Sequence, residues 1–375
     1  MNSSVDFEKN TDLRLEEIEN AFQKKVTIAI IGKVSAGKSS LLNAFFNRTR
    51  ENQLASVGAI SGVTTKVKRF KVSQNVEVLD SPGLDDIIDA NSAETRNILE
   101  EIDIGILVLS DSADISQKRH YEDLKKNCRK VFVVLNKIDM YDKKKSALQQ
   151  VLSQWKEVLS LPSDETIFPT CADGYDPNYD SSFELDIRGV EELRSEVYNC
   201  LAKYGKALIL EREMNKKSAL ARKVIYTALI SVGVEAFIPG SAIYIAGTQA
   251  ATIMAIHYIY TGEKLSKKSA LAVLPIFASQ SIGSNIFLWA KSVLPPTGVL
   301  DMAAASVAVL VTLAMLSTVN WIYENGYNLD DKSEIKSQFN KIYNLLEDIG
   351  AKEIAKIVIN KDVDAVKKLI EKFVK

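Results

Sequence analysis

Histidine and cysteine, the side chains that most often build metal centres and disulfide frameworks, are scarce in this sequence. The 375 residues include two histidines and three cysteines. The three cysteines, far apart in the chain and without C-x-x-C spacing, are Cys128, Cys171 and Cys200. This spacing predicts free thiols in a reducing compartment and argues against a zinc site. With only His120 and His257 available, a histidine-based metal cluster is not expected either.

A surplus of one charge sign is absent too. The chain has 47 Lys and Arg residues against 48 Asp and Glu residues, so no overall field attracts nucleic acid. Nucleic acid is therefore not an expected partner. Residues 1–25 are charged and contain no apolar segment, which predicts that there is no signal peptide and that the protein is cytoplasmic rather than secreted.

What the sequence does have is a sharp change of composition along its length. Up to about residue 223, strand-like and helix-like stretches alternate, whereas residues 224–323 are rich in Ala, Ser, Gly and Ile and nearly free of charge. A chain of this length can bury two cores. We predict a leader helix at 1–24, an α/β domain at 25–205, an apolar helical domain at 206–328 and an amphipathic helical tail at 329–375.

The first chemical motif follows a short apolar run. Residues 26–31 (VTIAII) have the composition of a buried parallel strand, and they lead into GKVSAGKS and a helix-like segment. This is the context that a G-x-x-x-x-G-K-S phosphate loop needs. Gly32 and Gly37 let the loop wrap its N–H groups around phosphate oxygens. Lys38 then adds a positive charge, and the hydroxyl of Ser39 supplies a ligand for Mg²⁺.

A second motif predicts which base is bound. Residues 131–135 (VFVVL) form a strand-like run that ends in NKID. The carboxylate of Asp139 can accept from both the N1–H and the N2 amino group of guanine, a donor pair that adenine lacks. Asn136 can reach the N7 and O6 edge, and the stem of Lys137 can lie across the base. Because an unpaired buried carboxylate is costly, such a site rejects adenine.

Between these motifs lie the residues expected to sense the γ-phosphate. Residues 76–83 (VEVLDSPG) form a strand-like run that ends in a turn. This strand is expected to deliver Asp80 to Mg²⁺ through water, and Gly83 to present its N–H to the γ-phosphate. The loop beyond can then move when that phosphate leaves. Upstream, a GVTT run offers a threonine to Mg²⁺ and the γ-phosphate, and Thr65 is preferred to Thr64.

The last predicted strand of the α/β domain completes the base site. Residues 167–172 (IFPTCA) follow the NKID motif, and the N–H of Ala172 is available to guanine O6. Taken in order, GKVSAGKS, GVTT, DSPG, NKID and TCA resemble the five signature motifs of Era-like GTPases. These form a branch of the TrmE–Era–septin and dynamin class of P-loop GTPases. The resemblance covers about residues 25–204 and implies a Ras-like G domain, which is an α/β fold with a mostly parallel sheet and helices on both faces.

The motifs and the resemblance together imply three overlapping groups of site residues. The nucleotide contacts are expected at Gly32, Ser35, Ala36, Gly37, Lys38, Ser39, Ser40, Asn136, Lys137, Asp139, Cys171 and Ala172. The residues expected to act in GTP hydrolysis are Lys38, Thr65, Gly83 and Ser35. The residues expected to hold Mg²⁺ are Ser39, Thr65 and Asp80.

One position departs from the Ras pattern. Leu84 stands where Ras-type switches place a catalytic glutamine, and leucine cannot orient water. Era-like members with such a replacement obtain the missing charge from bound K⁺, a partner residue or dimerisation, so K⁺ and a homodimer through the G domain stay open. The K⁺-using members usually carry Asn where this chain has Ser35, and the run SAGKSS resembles the P-loop of dynamins. We expect slow basal hydrolysis.

The apolar region leaves two interpretations open. Runs without Asp, Glu, Lys or Arg cover 236–262, 269–290 and 302–323. Runs of this length can span a bilayer, as hairpins whose basic loop with Lys264, Lys267 and Lys268 stays at the cytoplasmic face. In the other interpretation they form a compact helical domain, since a helix that is apolar all round is buried somewhere. Membrane association is preferred, with lipid as the expected partner.

Two turns and a helix in this region carry a looser resemblance. The I-P-G-S turn at 238–241, Gln249 with Met254 downstream, and the L-P-P-T-G turn at 294–298 resemble a helical domain of uncharacterised function that follows the G domain in some bacterial Era-like GTPases. That family is often membrane-linked. The resemblance therefore favours the membrane interpretation.

Amphipathic stripes mark both ends of the chain. Leu15, Ile18 and Phe22 share one face of the leader helix. A stripe on a tail helix beginning near residue 331 comprises Ile335, Phe339, Ile342, Leu345, Leu346 and Ile349. We expect these helices to pack on the G domain or on each other. A mechanical arm that couples nucleotide state to the apolar region is the alternative.

These features predict a regulatory or mechanochemical GTPase with a low basal rate at the cytoplasmic face of a membrane. The first alternative is a soluble switch for assembly, for example of ribosomes. The second alternative is a GTP-controlled effector that perturbs membranes.

Overall fold

The computed structural model describes residues 12–13, 15–57, 68–81, 102–176, 182–235, 241–278 and 302–350, with a few single residues beyond 350. The chain divides into two compact units. One unit is Lys24–Met214, and the other combines Met1–Gln23 with Asn215–Lys375. The leader helix, α1 (residues 12–13 and 15–21), is therefore grouped with the C-terminal half of the chain.

The first unit is built on a six-stranded sheet with the strand order β2-β3-β1-β4-β5-β6. The strands are β1 (Val26–Ile31), β2 (Lys68–Lys71), β3 (Val76–Ser81), β4 (Ile102–Leu109), β5 (Cys128–Leu135) and β6 (Ile167–Pro169). All neighbours pair in parallel except β2, which runs antiparallel to β3 at the edge. Every residue of β1 and β4 is buried, as expected for parallel strands covered on both faces. The predicted mostly parallel α/β fold is confirmed.

Helices and a small hairpin complete this unit. The helices are α2 (Lys38–Phe45), α3 (Ser116–Asn127), α4 (Lys145–Leu159), α5 (Val190–Ala202) and α6 (Ala207–Met214). The hairpin pairs β7 (Cys171–Asp173) with β8 (Asp186–Arg188). Trp155 of α4 and Leu124 of α3 pack into the core formed by the central strands. The carboxyl ends of the parallel strands meet at one edge, which is where open α/β sheets bind ligands.

Helix α6 is grouped with the sheet, since the first unit ends at Met214. The predicted domain bounds, with an α/β domain at 25–205, stay a prediction. Met214, the last residue of α6, accepts hydrogen bonds from Asn47 Nδ2 at 3.0 Å and, through its sulfur, from Tyr198 Oη at 2.8 Å. These contacts tie α6 to α5 and to the segment that follows α2, so it belongs to the first unit.

The second unit is helical. Its long helices are α7 (Lys217–Glu235), α8 (Ser241–Thr261), α9 (Lys267–Ala278), α10 (Met302–Glu324) and α11 (Lys332–Ile349). Helix α10 lies at the centre of the core, with Leu313, Leu316 and Val319 fully buried. On α11, Ile335, Phe339 and Leu346 of the predicted stripe are buried in the same core, whereas Leu345 is exposed. The helical character of the C-terminal region is therefore confirmed.

Helix α10 bears on both interpretations of the apolar region, membrane insertion and a compact helical domain. Among the described residues, one helical window, Val307–Glu324, is long and apolar enough to cross a bilayer, with a mean hydropathy of 1.5. Within the structure, 78% of that window is buried by other parts of the protein. The core helix of a water-soluble protein has the same properties, so this helix by itself fits either interpretation.

The leader helix docks on the helical unit through both apolar and charged contacts. The ring of Phe22 stacks on Tyr258 with centroids 4.6 Å apart, and Leu15 is buried. Lys267 Nζ pairs with Asp12 at 3.0 Å and with Glu16 at 3.4 Å. The basic loop that the sequence assigns to a membrane boundary is thus partly neutralised by acidic residues of α1.

Candidate nucleotide-binding site

The loop between β1 and α2 has a shape that two glycines permit. Gly37 precedes α2 in the left-handed region, with φ 83°, and a Cβ there would lie 2.3 Å from Asn136 Nδ2. A Cβ on Gly32 would lie 2.2 Å from the carbonyl oxygen of Val108 in β4. Glycine is therefore required at both positions of the motif, because any side chain would collide with the Asn136 amide or the Val108 carbonyl oxygen.

Lys38 opens α2 and folds back over the loop. Its Nζ donates to the carbonyl oxygens of Gly32 at 2.7 Å and Lys33 at 3.0 Å, and the side chain is 8% exposed. Burial lowers the pKa of Lys38, while the charge of Asp80 acts in the opposite direction. The ammonium therefore lies at the mouth of the phosphate loop, where it can meet an anionic ligand.

The start of α2 favours anions. Its first turn carries no acidic side chain, so the N–H groups and the positive end of the helix dipole are not neutralised there. Ser39 and Ser40 follow Lys38 in that turn and are half-buried, and Ala36 of the loop is fully buried. Ser35 is exposed and has a positive φ of 66°, so its hydroxyl lies on the outer part of the loop.

Asp80 lies beside this loop because of the strand register. In the parallel pair of β1 and β3, Asp80 is opposite Ile30, two residues before Gly32. Its side chain is 4% exposed and close enough to Lys38 to influence the lysine pKa. Its carboxylate and the Ser39 hydroxyl are hard oxygen donors, the type that Mg²⁺ prefers.

No group of three or more His, Cys, Asp and Glu side chains that could hold a metal occurs within the described part of the chain. Thr65 and Gly83, the other two residues predicted for the metal and the γ-phosphate, lie outside the described residues.

Asn136 connects the phosphate loop to the base side of the site. Its Nδ2 donates to the carbonyl oxygen of Ala36 at 3.1 Å, and its Oδ1 accepts from the Thr170 hydroxyl at 3.1 Å. The side chain is 1% exposed, so both bonds are shielded from water. The sequence predicts Asn136 as a base contact, and the structure adds a bracing role between loops that lie 100 residues apart.

The remaining base-side residues meet around Asp139. Lys137 has a left-handed φ of 64°, and Asp139 lies in the short 3₁₀ helix Ile138–Tyr141 that follows it. The Cys171 thiol donates to Asp139 Oδ1 at 3.4 Å. Burial, helped by Asp139, raises the pKa of Cys171 to about 12, so the thiol remains a donor at neutral pH. Ala172, next in β7, is 6% exposed.

Three polar residues that the sequence analysis does not assign to the site support this arrangement. Thr170, the first residue of the TCA motif, donates to Asn136 Oδ1. Asn43, buried within α2, accepts from the N–H groups of Leu54 at 2.7 Å and Ala55 at 3.1 Å. Arg194 of α5 donates to the Ala44 carbonyl oxygen at the end of α2 at 3.0 Å. A polar residue on the buried face of an apolar helix, as in LLNAFF, is the one sequence signal that points to Asn43.

These features define a P-loop domain whose phosphate and base sites are braced against each other. Residues 27–137 match the family model of the 50S ribosome-binding GTPase. The chain is 29% identical over 185 residues to the tRNA modification GTPase MnmE of Desulforamulus reducens. The aligned region covers 44% of this chain and 39% of that protein. It is 35% identical over 121 residues to GTPase Der of Nitratiruptor sp., covering 30% of this chain and 25% of that one.

Among solved structures, the G domain of the T. maritima FeoB iron transporter is 20% identical and covers 47% of this chain and 99% of that one, with a TM-score of 0.28. The chain spans less than half the length of the two curated relatives. The region shared with the family model and these two relatives is a P-loop GTPase domain, similar to the domains of TrmE- and Era-type GTPases. Both relatives are named as GTPases, which supports GTP hydrolysis by this domain.

Proposed function

We propose that this protein is a slow GTPase switch that acts at the cytoplasmic face of a membrane, with the helical unit as its effector. The bracing of Asn136 between Ala36 and Thr170 supports the nucleotide part, because it makes the phosphate and base sites one rigid unit. The apolar window of α10, with a mean hydropathy of 1.5, supports the membrane part.

In this proposal the chain's own groups bind and orient the nucleotide. Loop amides and Lys38 hold the β- and γ-phosphates, and Asp139 and Ala172 select guanine. Ser39, Asp80 and Thr65 would hold Mg²⁺, which neutralises phosphate charge when it is bound. Leu84 cannot orient a water molecule, so we expect slow basal turnover. Charge from K⁺ near Ser35 or from a second copy of the chain would then accelerate hydrolysis.

Calorimetry with GDP, GTP and ADP tests the nucleotide part directly. We expect heat from both guanine nucleotides in the presence of Mg²⁺ and none from ADP. The absence of heat with GDP and GTP, or equal affinity for ADP, would refute the assignment of the site. Hydrolysis at many turnovers per second by the isolated protein would refute slow basal turnover.

Flotation with liposomes tests the membrane part. Wild type and Lys38→Ala are mixed with vesicles of mixed neutral and anionic lipid, with GTP or GDP, and the floated fraction is washed with carbonate. Flotation that carbonate does not reverse indicates an integral protein, and flotation that carbonate reverses indicates a peripheral one. A wild type that stays unbound with either nucleotide would refute the membrane role.

A soluble switch in ribosome or RNA assembly is the second candidate, and two observations favour it. Most of the α10 window, 78%, is buried by protein. The matching family is named for binding the 50S ribosome, and one relative for modifying tRNA. Sedimentation with purified large ribosomal subunits, with GTP or GDP, tests this candidate. Nucleotide-dependent comigration would support it, and its absence would refute the ribosomal form.

A further inference from the structure

Arg188 joins the two segments that converge on the base site. In the β7–β8 hairpin, Arg188 lies opposite Cys171. Its guanidinium donates to both carboxylate oxygens of Asp142, at 2.8 Å and 3.0 Å, and to both oxygens of Asp186, each at 2.8 Å. Asp142 directly follows the 3₁₀ helix that carries Asp139. One planar side chain therefore ties the hairpin of Cys171 to the turn of Asp139.

The same contacts balance a concentration of negative charge. Asp142 N donates to the carbonyl oxygen of Asp139 at 3.1 Å, so the two residues share one turn. Asp186 lies close enough to Cys171 to raise the thiol pKa together with Asp139. Hydrogen bonds to Asp142 and then Asp186 raise the pKa of Arg188. Without this guanidinium, Asp142 and Asp186 would both lose their positive partner while lying near the carboxylate of Asp139. The repulsion between these carboxylates would move the turn of Asp139 away from the hairpin.

Exposure indicates what kind of contribution this arrangement makes. The side chains of Arg188, Asp142 and Asp186 are 39%, 54% and 43% exposed. Ion pairs at such positions typically contribute between zero and about 1 kcal/mol to stability, so folding does not depend on them. A bidentate guanidinium nevertheless fixes geometry, which a lysine cannot reproduce because its ammonium is a point charge. The contribution is therefore one of orientation.

We propose that Arg188 is a positioning residue for guanine specificity: by clamping Asp142 and Asp186 together, it aligns the carboxylate of Asp139 and the amide of Ala172 on the base. This inference rests on the proposed role of Asp139 as the acceptor of the guanine N1–H and N2 amino group. The Arg188 clamp extends that role, because it fixes the position of the Asp139 carboxylate relative to the guanine base.

The test compares GDP with inosine diphosphate, which lacks the 2-amino group and so makes one bond fewer to Asp139. Calorimetry is performed on the full chain for the wild type, Arg188→Gln, Arg188→Lys and a control, Lys126→Gln. Lys126 is 72% exposed and pairs with Asp123 of its own helix, α3. We expect Arg188→Gln to bind GDP about tenfold more weakly and inosine diphosphate only two- to threefold more weakly. The preference for GDP then shrinks about fourfold.

The two arginine variants and the control make the outcome decisive. Arg188→Lys should lose most of the same preference, whereas Lys126→Gln should match the wild type. Equal losses for both nucleotides, or no loss, in Arg188→Gln and Arg188→Lys would overturn the inference, since a purely structural role moves both affinities together. A wild type without any preference for GDP over ADP would instead refute the proposed function, and the clamp with it.

Discussion

The two units of this molecule bury polar side chains in different ways. In the G domain, Lys38, Asp80 and Asn136 are each at most 8% exposed and gather at the edge where the carboxyl ends of the parallel strands meet. In the helical unit, buried polar groups form separate bridges, such as Gln249 Nε2 donating to Thr312 Oγ1 at 2.8 Å between α8 and α10. Convergence on one edge creates a ligand site, whereas a single bridge fixes how two helices pack.

The largest effect that would test this contrast is expected at Lys38. Lys38→Ala removes a buried cation from the phosphate site, and losing one partner of such a pair costs about 2–5 kcal/mol. We expect GDP affinity, measured by calorimetry, to fall about 100- to 1,000-fold. The control is Lys33→Ala, because Lys33 is in the same loop but half exposed and paired with Asp114. A loss for Lys33→Ala as large as that for Lys38→Ala would contradict a specific role for the buried ammonium.

A change of base specificity is expected next. Asp139→Asn replaces one acceptor oxygen by an NH₂ donor, which clashes with the guanine amino group but suits xanthine, where a carbonyl oxygen takes that place. We expect GDP affinity to fall about 100-fold and xanthosine diphosphate to become the preferred ligand. Competition binding with both nucleotides measures the exchange. Asp164→Asn, at an exposed position, serves as control, and a variant that still prefers GDP would show that another group selects the base.

The fold of the G domain could be predicted because its chemistry fixes residue spacing. A phosphate loop needs two glycines and a lysine at set intervals after a strand, and in the structure Gly32, Gly37 and Lys38 lie between β1 and the first turn of α2. The partners of the supporting residues could not be found this way. Thr170, although it is part of the TCA motif, and Arg188 act through partners 34 and 46 positions away in the chain, and such pairs have no fixed interval.

The helical unit was predictable only in kind. The absence of charge from residues 302–323 predicts a helix that is buried, but the same composition suits lipid and protein surroundings. The ion pairing of Lys267 with α1 could not be predicted from the sequence, because Lys267 and Glu16 are 251 positions apart. The packing of α6 against the G domain could not be predicted for a similar reason, since the contact of Met214 with Asn47 depends on tertiary structure.

A moderate effect confined to the helical unit is expected at Thr312. Thr312→Val keeps the shape but removes the acceptor of Gln249, and a buried amide left without its partner costs about 1–3 kcal/mol. Urea unfolding followed by circular dichroism should show this loss, while GDP affinity stays unchanged. Thr227→Val is the matched control, because Thr227 is exposed and bonds only within its own helix. Equal stability of the two variants would mean that the bridge does not hold α8 to α10.

The smallest effect separates two uses of the basic loop. Lys267 pairs with Asp12 and Glu16 of α1, whereas its neighbour Lys268 is exposed. Exposed pairs contribute about 0.2–1 kcal/mol, so Lys267→Gln should lower stability slightly, and less so at high salt. At an anionic membrane each lysine contributes about 1 kcal/mol, which is about fivefold in affinity.

If the loop faces lipid, Lys268→Gln should therefore weaken binding to anionic vesicles about fivefold. Lys267→Gln should weaken this binding less, because the acidic residues of α1 already neutralise the charge of Lys267. Equal weakening by both would mean that α1 leaves Lys267 at the membrane. An unchanged affinity in both would mean that this loop has no lipid contact, and the acidic face of α1 would then be sufficient to explain why lysine occurs at position 267.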